Sequence, residues 1–252
     1  MNAVLSGIPP GEIKAFTNLV EINQLVDGDV VFCEGDVGDR FYIIIHGEVK
    51  IESCGLLGPG NYFGEMALVS NNPRSATVIA TCNTILLSVN KESFHRIFAS
   101  NKQALAEFRL RLLRGSAELF HVLAHSIGIS MYHSFLRRIH AEESLDFWLA
   151  VDNFCSIAFK NNDMMWQKGK SIFDQFCAES SEHQVNLPDC IRTVLQSSLE
   201  KKDTVQSKLF QEAKEEIYQL MVRDNYLKFK ASPDCKELFE RCLGVRLDQG
   251  IA

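Results

Sequence analysis

Two side chains of opposite charge, Glu65 and Arg74, stand nine residues apart in a stretch that begins Phe63-Gly64-Glu65-Met66-Ala67-Leu68 and resumes at Pro73-Arg74-Ser75-Ala76-Thr77-Val78. A carboxylate accepts hydrogen bonds from hydroxyl groups, and a guanidinium offers a planar, permanently charged fork to phosphate oxygens. Gly64 and Ala67 are small enough for a ligand to press against the backbone. The N–H groups from Gly64 to Ala67 could open a single helical turn whose positive end faces an anion. A cyclic nucleotide asks for this combination: its ribose 2′-hydroxyl needs an acceptor such as Glu65, and its cyclic phosphate suits Arg74. Taken by themselves, the two residues equally describe a solvated surface ion pair.

More of the chain has to position them. Upstream lie Gly28-Asp29-Val30-Val31-Phe32, Glu34-Gly35-Asp36, Phe41-Tyr42-Ile43-Ile44, Gly47-Glu48-Val49 and Leu57-Gly58-Pro59-Gly60. In order and spacing these resemble the β-roll of cyclic-nucleotide-binding domains, and the stretch around Glu65 and Arg74 resembles their phosphate-binding cassette. The resemblance covers roughly residues 8 to 115. It implies a nucleotide site made by Gly64, Glu65, Met66, Ala67, Arg74 and Ser75. It leaves the base open between cAMP and cGMP, with a slight lean to cAMP, because the Ser75 hydroxyl could meet either the phosphate or a guanine amino group.

The 252 residues are enough for two domains of ordinary size, and 46% hydrophobic with 23% charged residues describes a globular chain. A net charge of −6 gives no electrostatic reason to expect nucleic acid or an anionic membrane as partner. No run of about 18 apolar residues predicts a membrane span. The start of the sequence lacks the pattern of an export signal, so a cytoplasmic location is expected. The eight cysteines are scattered without a Cys-x-x-Cys pair and read as reduced thiols, with neither disulfides nor zinc expected.

Short, β-branched and aromatic runs bounded by Gly, Asp or Asn predict strands at 30–33, 40–45, 48–52, 76–80 and 83–88. Ile43-Ile44-Ile45 reads as a core strand, and His46 as a turn or edge residue. From Lys91 the pattern becomes helical, over 91–98 and 102–123, with a break or kink at Gly115-Ser116. Leu110 or Leu113 could cover a nucleotide base or belong to the core. Beyond a short joint at 128–130, strand signals almost vanish. Helices are predicted at 131–139, 145–159, 166–178, 190–199, 207–221 and 225–230.

Within that helical half, Ala141-Glu142-Glu143-Ser144-Leu145-Asp146-Phe147-Trp148-Leu149-Ala150 is a capped, acidic helix start followed by a broad apolar face. Val185-Asn186-Leu187-Pro188-Asp189 and the run from Ile217 to Tyr226 follow in order. Together they resemble the RGS box, the helical domain that accelerates GTP hydrolysis by heterotrimeric G-protein α subunits, over about residues 118 to 240. Such domains do no bond chemistry; they hold the Gα switch regions in the shape those regions take during hydrolysis. The resemblance implies a Gα contact face of Glu143, Ser144, Asn186, Leu220, Asp224 and Lys228, with Asn186 beside the attacking water. Ser144 stands where strong accelerators carry Asn, and Lys228 where Arg is common, which predicts modest acceleration. Each residue also has a plain structural reading: Asn186 as a turn residue, Glu143 as a helix-start acid, Leu220 as core, Asp224 as a solvated helix end.

Other chemistry is set aside. There is no phosphate-binding Gly-x-x-x-x-Gly-Lys loop and no kinase signature, and His121 and His125 lack the intervening Glu of a zinc protease. The expected fold class is therefore α+β: an N-terminal β-roll of jelly-roll type with flanking helices over residues 1–115, its connecting helix reaching about 127, then an all-α RGS-type bundle over 118–252. The expected function is a cyclic-nucleotide-sensing regulator of G-protein signalling that binds cAMP or cGMP and accelerates Gα hydrolysis without being an enzyme itself. No cofactor is expected beyond the regulatory nucleotide. Membrane association is expected only through Gα. The alternative is a nucleotide-responsive scaffold whose helical bundle binds a partner without acceleration. The oligomeric state is left open.

Overall fold

In the computed structural model, residues 18–52, 55–66, 73–97, 102–157, 162–200 and 205–243 are described. Two antiparallel four-stranded sheets form its first half. One has the order β1(Glu21–Leu25), β8(Thr84–Asn90), β3(Arg40–His46), β6(Tyr62–Phe63). The other runs β2(Val30–Phe32), β7(Val78–Ala80), β4(Val49–Ile51), β5(Gly55–Leu57).

The two-residue period of a strand explains how β3 organises this half. Tyr42 and Ile44 point between the sheets, joining Val49, Ile51, Phe63, Ala76, Val78 and Leu86 in one core. Phe41 and Ile43 point the other way, to a second core with Phe94 of α1(Lys91–Ile97) and Ala104 and Phe108 of α2(Lys102–Leu113). A strand covered on both faces reads as an unbroken apolar run rather than an alternating one, which is why its sequence looks uniformly hydrophobic. Ile45 departs from the expected core role. The β3–β8 register shifts between Ile44 and His46, and Ile45 is left 47% exposed.

The expected break at Gly115-Ser116 is present. Helix α2 stops at Leu113, and Arg114–Ser116 form a 3-10 turn in which Arg114 adopts φ +48°. Leu110 and Leu113 are both buried core residues. Next comes α3(Leu119–Leu123), whose first turn is closed reciprocally: the His121 Nδ1 accepts the Glu118 N–H, and the Glu118 side chain accepts the His121 N–H.

The remaining elements are helical: α4(Ser126–Arg138), α5(Glu142–Ser156), α6(Asn162–Phe176), α7(Asp189–Glu200), α8(Gln211–Leu220), a π-turn at Met221–Tyr226, α9(Leu227–Lys230), α10(Pro233–Glu237) and a last π-turn at Leu238–Cys242. Residues 18–128 with 237–243 form one compact unit and residues 129–236 another. Aromatic edge-to-face contacts fill the second unit. Phe147 meets Phe176 and Phe210, Phe154 meets Phe210, and Tyr132 meets Tyr226 and Phe229.

Helix α5 begins at Glu142, three residues before the expected start, and Ala141 gives it no side-chain cap. Glu142 and Glu143 stabilise that end through the helix dipole. The two helices expected at 207–221 and 225–230 are one helical run joined by the π-turn. The chain is an α+β protein, a two-sheet β-roll followed by a helical region.

Candidate functional site

The β-roll places Arg74 in a backbone cradle. Its N–H donates to the Asp36 carbonyl at 2.8 Å, and its carbonyl accepts the Gly35 N–H at 2.9 Å. An isolated bridge between Val37 and Pro73 extends the same contact. The Glu34-Gly35-Asp36 turn thus fixes where the Arg74 side chain leaves the main chain.

That side chain then turns inward and is 8% exposed. Its Nη1 donates to the Gly64 carbonyl at 3.1 Å and its Nη2 to the Arg40 carbonyl at 2.7 Å. The guanidinium carbon sits 4.0 Å from the centre of the Phe32 ring, a cation–π contact. Its Nε is buried without a hydrogen-bond partner among the described residues. Burial pushes the Arg74 pKa down, while the nearby Tyr42, Asp39, Glu65 and Asp36 side chains act in the opposite sense. A desolvated cation with an unused donor is costly until an anion reaches it.

Gly64 makes this packing possible. It lies at φ +75°, and a Cβ on it would stand 2.7 Å from Arg74 Nη1. Glu65 follows in a turn, half-buried, with Met66 exposed at the start of a helical turn. Ala67 lies outside the described residues. Burial raises the Glu65 carboxyl above its ordinary value, against the pull of its own backbone N–H and of the Arg74 charge. The two residues share one electrostatic environment without forming an ion pair, and Ser75 is exposed beside them. Phe32 and Arg40 are members of the candidate site that sequence reasoning missed. The buried Tyr62 hydroxyl is influenced by both Glu65 and Arg114. Phe32 carried a readable signal, as the aromatic end of an otherwise β-branched strand; the Arg40 contribution is a backbone carbonyl and carried none.

In the second unit, the other set of residues comes from three elements. Glu143 is in the first turn of α5, partly buried, with its carboxyl raised chiefly by burial, against the pull of its own backbone N–H. The 183–187 loop lies between α6 and α7 in the chain. In that loop Asn186 is exposed between Val185 and Leu187, which are 1% and 3% exposed. Ser144 and Leu220 are half-buried, while Asp224 and Lys228 are exposed. Asp224 is engaged by its neighbour: Arg223 Nε and Nη2 donate to its two oxygens at 2.9 and 3.3 Å.

Residues 22–101 match the family model of the cyclic nucleotide-binding domain, and residues 118–238 that of the regulator of G protein signaling (RGS) domain. The chain is a fusion of these two domains. Similar to its first half are a cAMP-dependent protein kinase regulatory subunit of Blastocladiella emersonii and a cGMP-dependent protein kinase of Plasmodium berghei (strain Anka). The first is 39% identical over 103 residues, 37% of this chain and 26% of the relative. The second is 38% identical over 106 residues, 40% of this chain and 12% of the relative. This chain spans between 12% and 35% of the length of the curated relatives it matches. Among solved structures, the N-terminal domain of a transcriptional regulator from Streptomyces coelicolor A3(2) is similar, with 26% identity, a TM-score of 0.40, and 45% of this chain and 87% of that one covered. The pair of domains supports cyclic-nucleotide sensing and a part in G-protein signalling. No helix among the described residues is long and apolar enough to cross a membrane.

Proposed function

We propose that this fusion binds cAMP or cGMP through Gly64, Glu65, Met66, Ala67, Arg74 and Ser75, and accelerates GTP hydrolysis by a Gα subunit through Glu143, Ser144, Asn186, Leu220, Asp224 and Lys228. The single observation that carries the first part is the buried Arg74 guanidinium, held by two carbonyls and a ring, with its Nε unpaired among the described residues. On this reading a cyclic phosphate meets the Arg74 charge and the Glu65 carboxylate accepts the ribose hydroxyl. For the second part, the support is the exposed Asn186 held between two buried neighbours at the edge of the RGS-like face. A side chain fixed this way orients a water or switch residue without reorganising. The regulator performs no bond chemistry itself.

Nucleotide regulates acceleration only if it prefers one conformational state over another; equal affinity for both would change nothing. Isothermal titration with cAMP and with cGMP, using Arg74→Ala as control, tests the site. Single-turnover GTP hydrolysis by Gα, with and without saturating nucleotide, tests the coupling. Equal rates in the two conditions would dismiss gating and leave both modules standing.

A second reading is favoured by one observation, the Arg223–Asp224 pair. The carboxylate that would bond a switch backbone already has a partner. Together with Ser144 and Lys228, this suits a scaffold that holds a partner without acceleration. Asn186→Ala separates the two: an accelerator loses roughly ten-fold or more of its rate, and a scaffold keeps its partner affinity unchanged.

A further inference from the structure

We infer that Arg192 is a positioning residue: it clamps the loop that presents Asn186, so that acceleration depends on Arg192 through Asn186. This rests on the proposed GTPase-activating role. The loop from Val185 to Leu187 is short and carries an exposed polar residue between two buried apolar ones, so its geometry depends on what holds each end. At the first end, the Val185 N–H donates to the Phe176 carbonyl of α6 at 2.8 Å. The Leu187 N–H then donates back to the Val185 carbonyl at 3.0 Å, closing a three-residue turn with Asn186 at its centre.

The far end is held by a side chain. Arg192 Nη2 donates to the Leu187 carbonyl at 3.2 Å, while Nη1 reaches the Asp189 Oδ1 at 3.2 Å. Asp189 is 95% exposed, so that ion pair contributes little, whereas the Arg192 side chain is 17% exposed. Its charge also acts on the buried Cys177 thiol, just past the end of α6. The guanidinium therefore sits under the loop, where its fork spans Leu187 and Asp189 on either side of Pro188. An ammonium on a flexible stem reproduces the charge without that fork. A tilt of about 1 Å at a group that orients a reacting water is enough to lower a rate substantially.

The test uses the full chain and single-turnover hydrolysis by Gα at saturating regulator. Arg192→Met keeps the stem packing and removes the fork; it is expected to lower the saturating rate roughly ten-fold. In the Asn186→Ala background the same change should have no further effect, because the residue it positions is gone. Arg192→Lys should restore only part of the rate. Additive losses in the double variant, or an unchanged rate in Arg192→Met, overturn the inference. Hydrogen exchange of the Leu187 amide gives a second readout in the same proteins and is expected to quicken several-fold in Arg192→Met. Should the wild-type chain fail to accelerate any Gα, the activating role falls, and unchanged Leu187 exchange would remove the clamp as well.

Discussion

Replacing Gly64 with Ala sets two physical effects against each other, and Gly60 offers the control. Both glycines lie in the left-handed region, at φ +75° and +85°. A Cβ there costs about 1–2 kcal/mol in each case. Their surroundings differ. A Cβ on Gly60 meets nothing within 4 Å, whereas one on Gly64 meets Arg74 Nη1 at 2.7 Å, the Arg40 carbonyl at 3.2 Å and the Tyr42 ring at 3.4 Å. The guanidinium must give way, since it is the movable group, and its bond to the Gly64 carbonyl goes with it. A charge-assisted hydrogen bond is worth about 1.5–3 kcal/mol. Both variants should therefore melt at a lower temperature, Gly64→Ala by more, since it alone loses that bond. Only Gly64→Ala should weaken nucleotide binding, by about 10- to 100-fold in isothermal titration. Equal dissociation constants in the two variants would mean that the placement of the Arg74 fork does not govern binding.

The remaining expectations concern charge, protonation and contact. Arg74→Lys should weaken nucleotide binding by about ten-fold or more, because a point charge cannot serve the Gly64 and Arg40 carbonyls and an anion at once; titration with cAMP and cGMP measures it. The His121 imidazole is pushed down to about 4 by burial, with the Arg109 charge adding to the effect. Between pH 6.5 and 4 the unfolded chain binds a proton that the folded chain refuses, so this contribution is complete above pH 6.5 and disappears as the pH falls to about 4. It amounts to about 3 kcal/mol. Urea unfolding at pH 7 and 4.5 should show a smaller difference in His121→Gln than in the wild type, and parallel curves would contradict it. Ser144→Asn, which restores the amide found in strong accelerators, should raise Gα hydrolysis about five-fold if one hydrogen bond is gained.

Much of the β-roll was legible because its strands are punctuated and its central strand is hydrophobic on both faces. The strands at 21–25, 55–57 and 62–63 were not. Glu21–Leu25 breaks the two-residue alternation, with Asn23 and Gln24 polar side by side and no residue fully buried, and Tyr62–Phe63 is two residues long, too short for any period to appear. At the nucleotide site, the charges were readable from the sequence. Their neutral partners were not, because a backbone carbonyl belongs to every residue equally. Arg192 lay hidden for a related reason: its position four after Pro188 suggests a solvated helix face, and its carbonyl partner has no signature in residue type.

The late helix shows what a period can and cannot reveal. The buried positions Ala213, Ile217, Met221, Tyr226 and Phe229 are spaced by four, four, five and three. A spacing of five breaks the 3.6-residue rule, so the sequence reads as one helix ending and another starting. A π-turn resolves the conflict by accommodating one extra residue per turn, which keeps both Met221 and Tyr226 in the core without interrupting the helix. The Tyr132 hydroxyl, at 3.5 Å from the Met221 carbonyl, lies at the start of that turn. The same extra residue puts Arg223 and Asp224 on the exposed bulge, between Leu220 and Lys228. The exposed Arg223 and Asp224 thus gain their projection from a local departure from α geometry, and the core packing of Tyr226 and Phe229 against Tyr132 holds that departure in place.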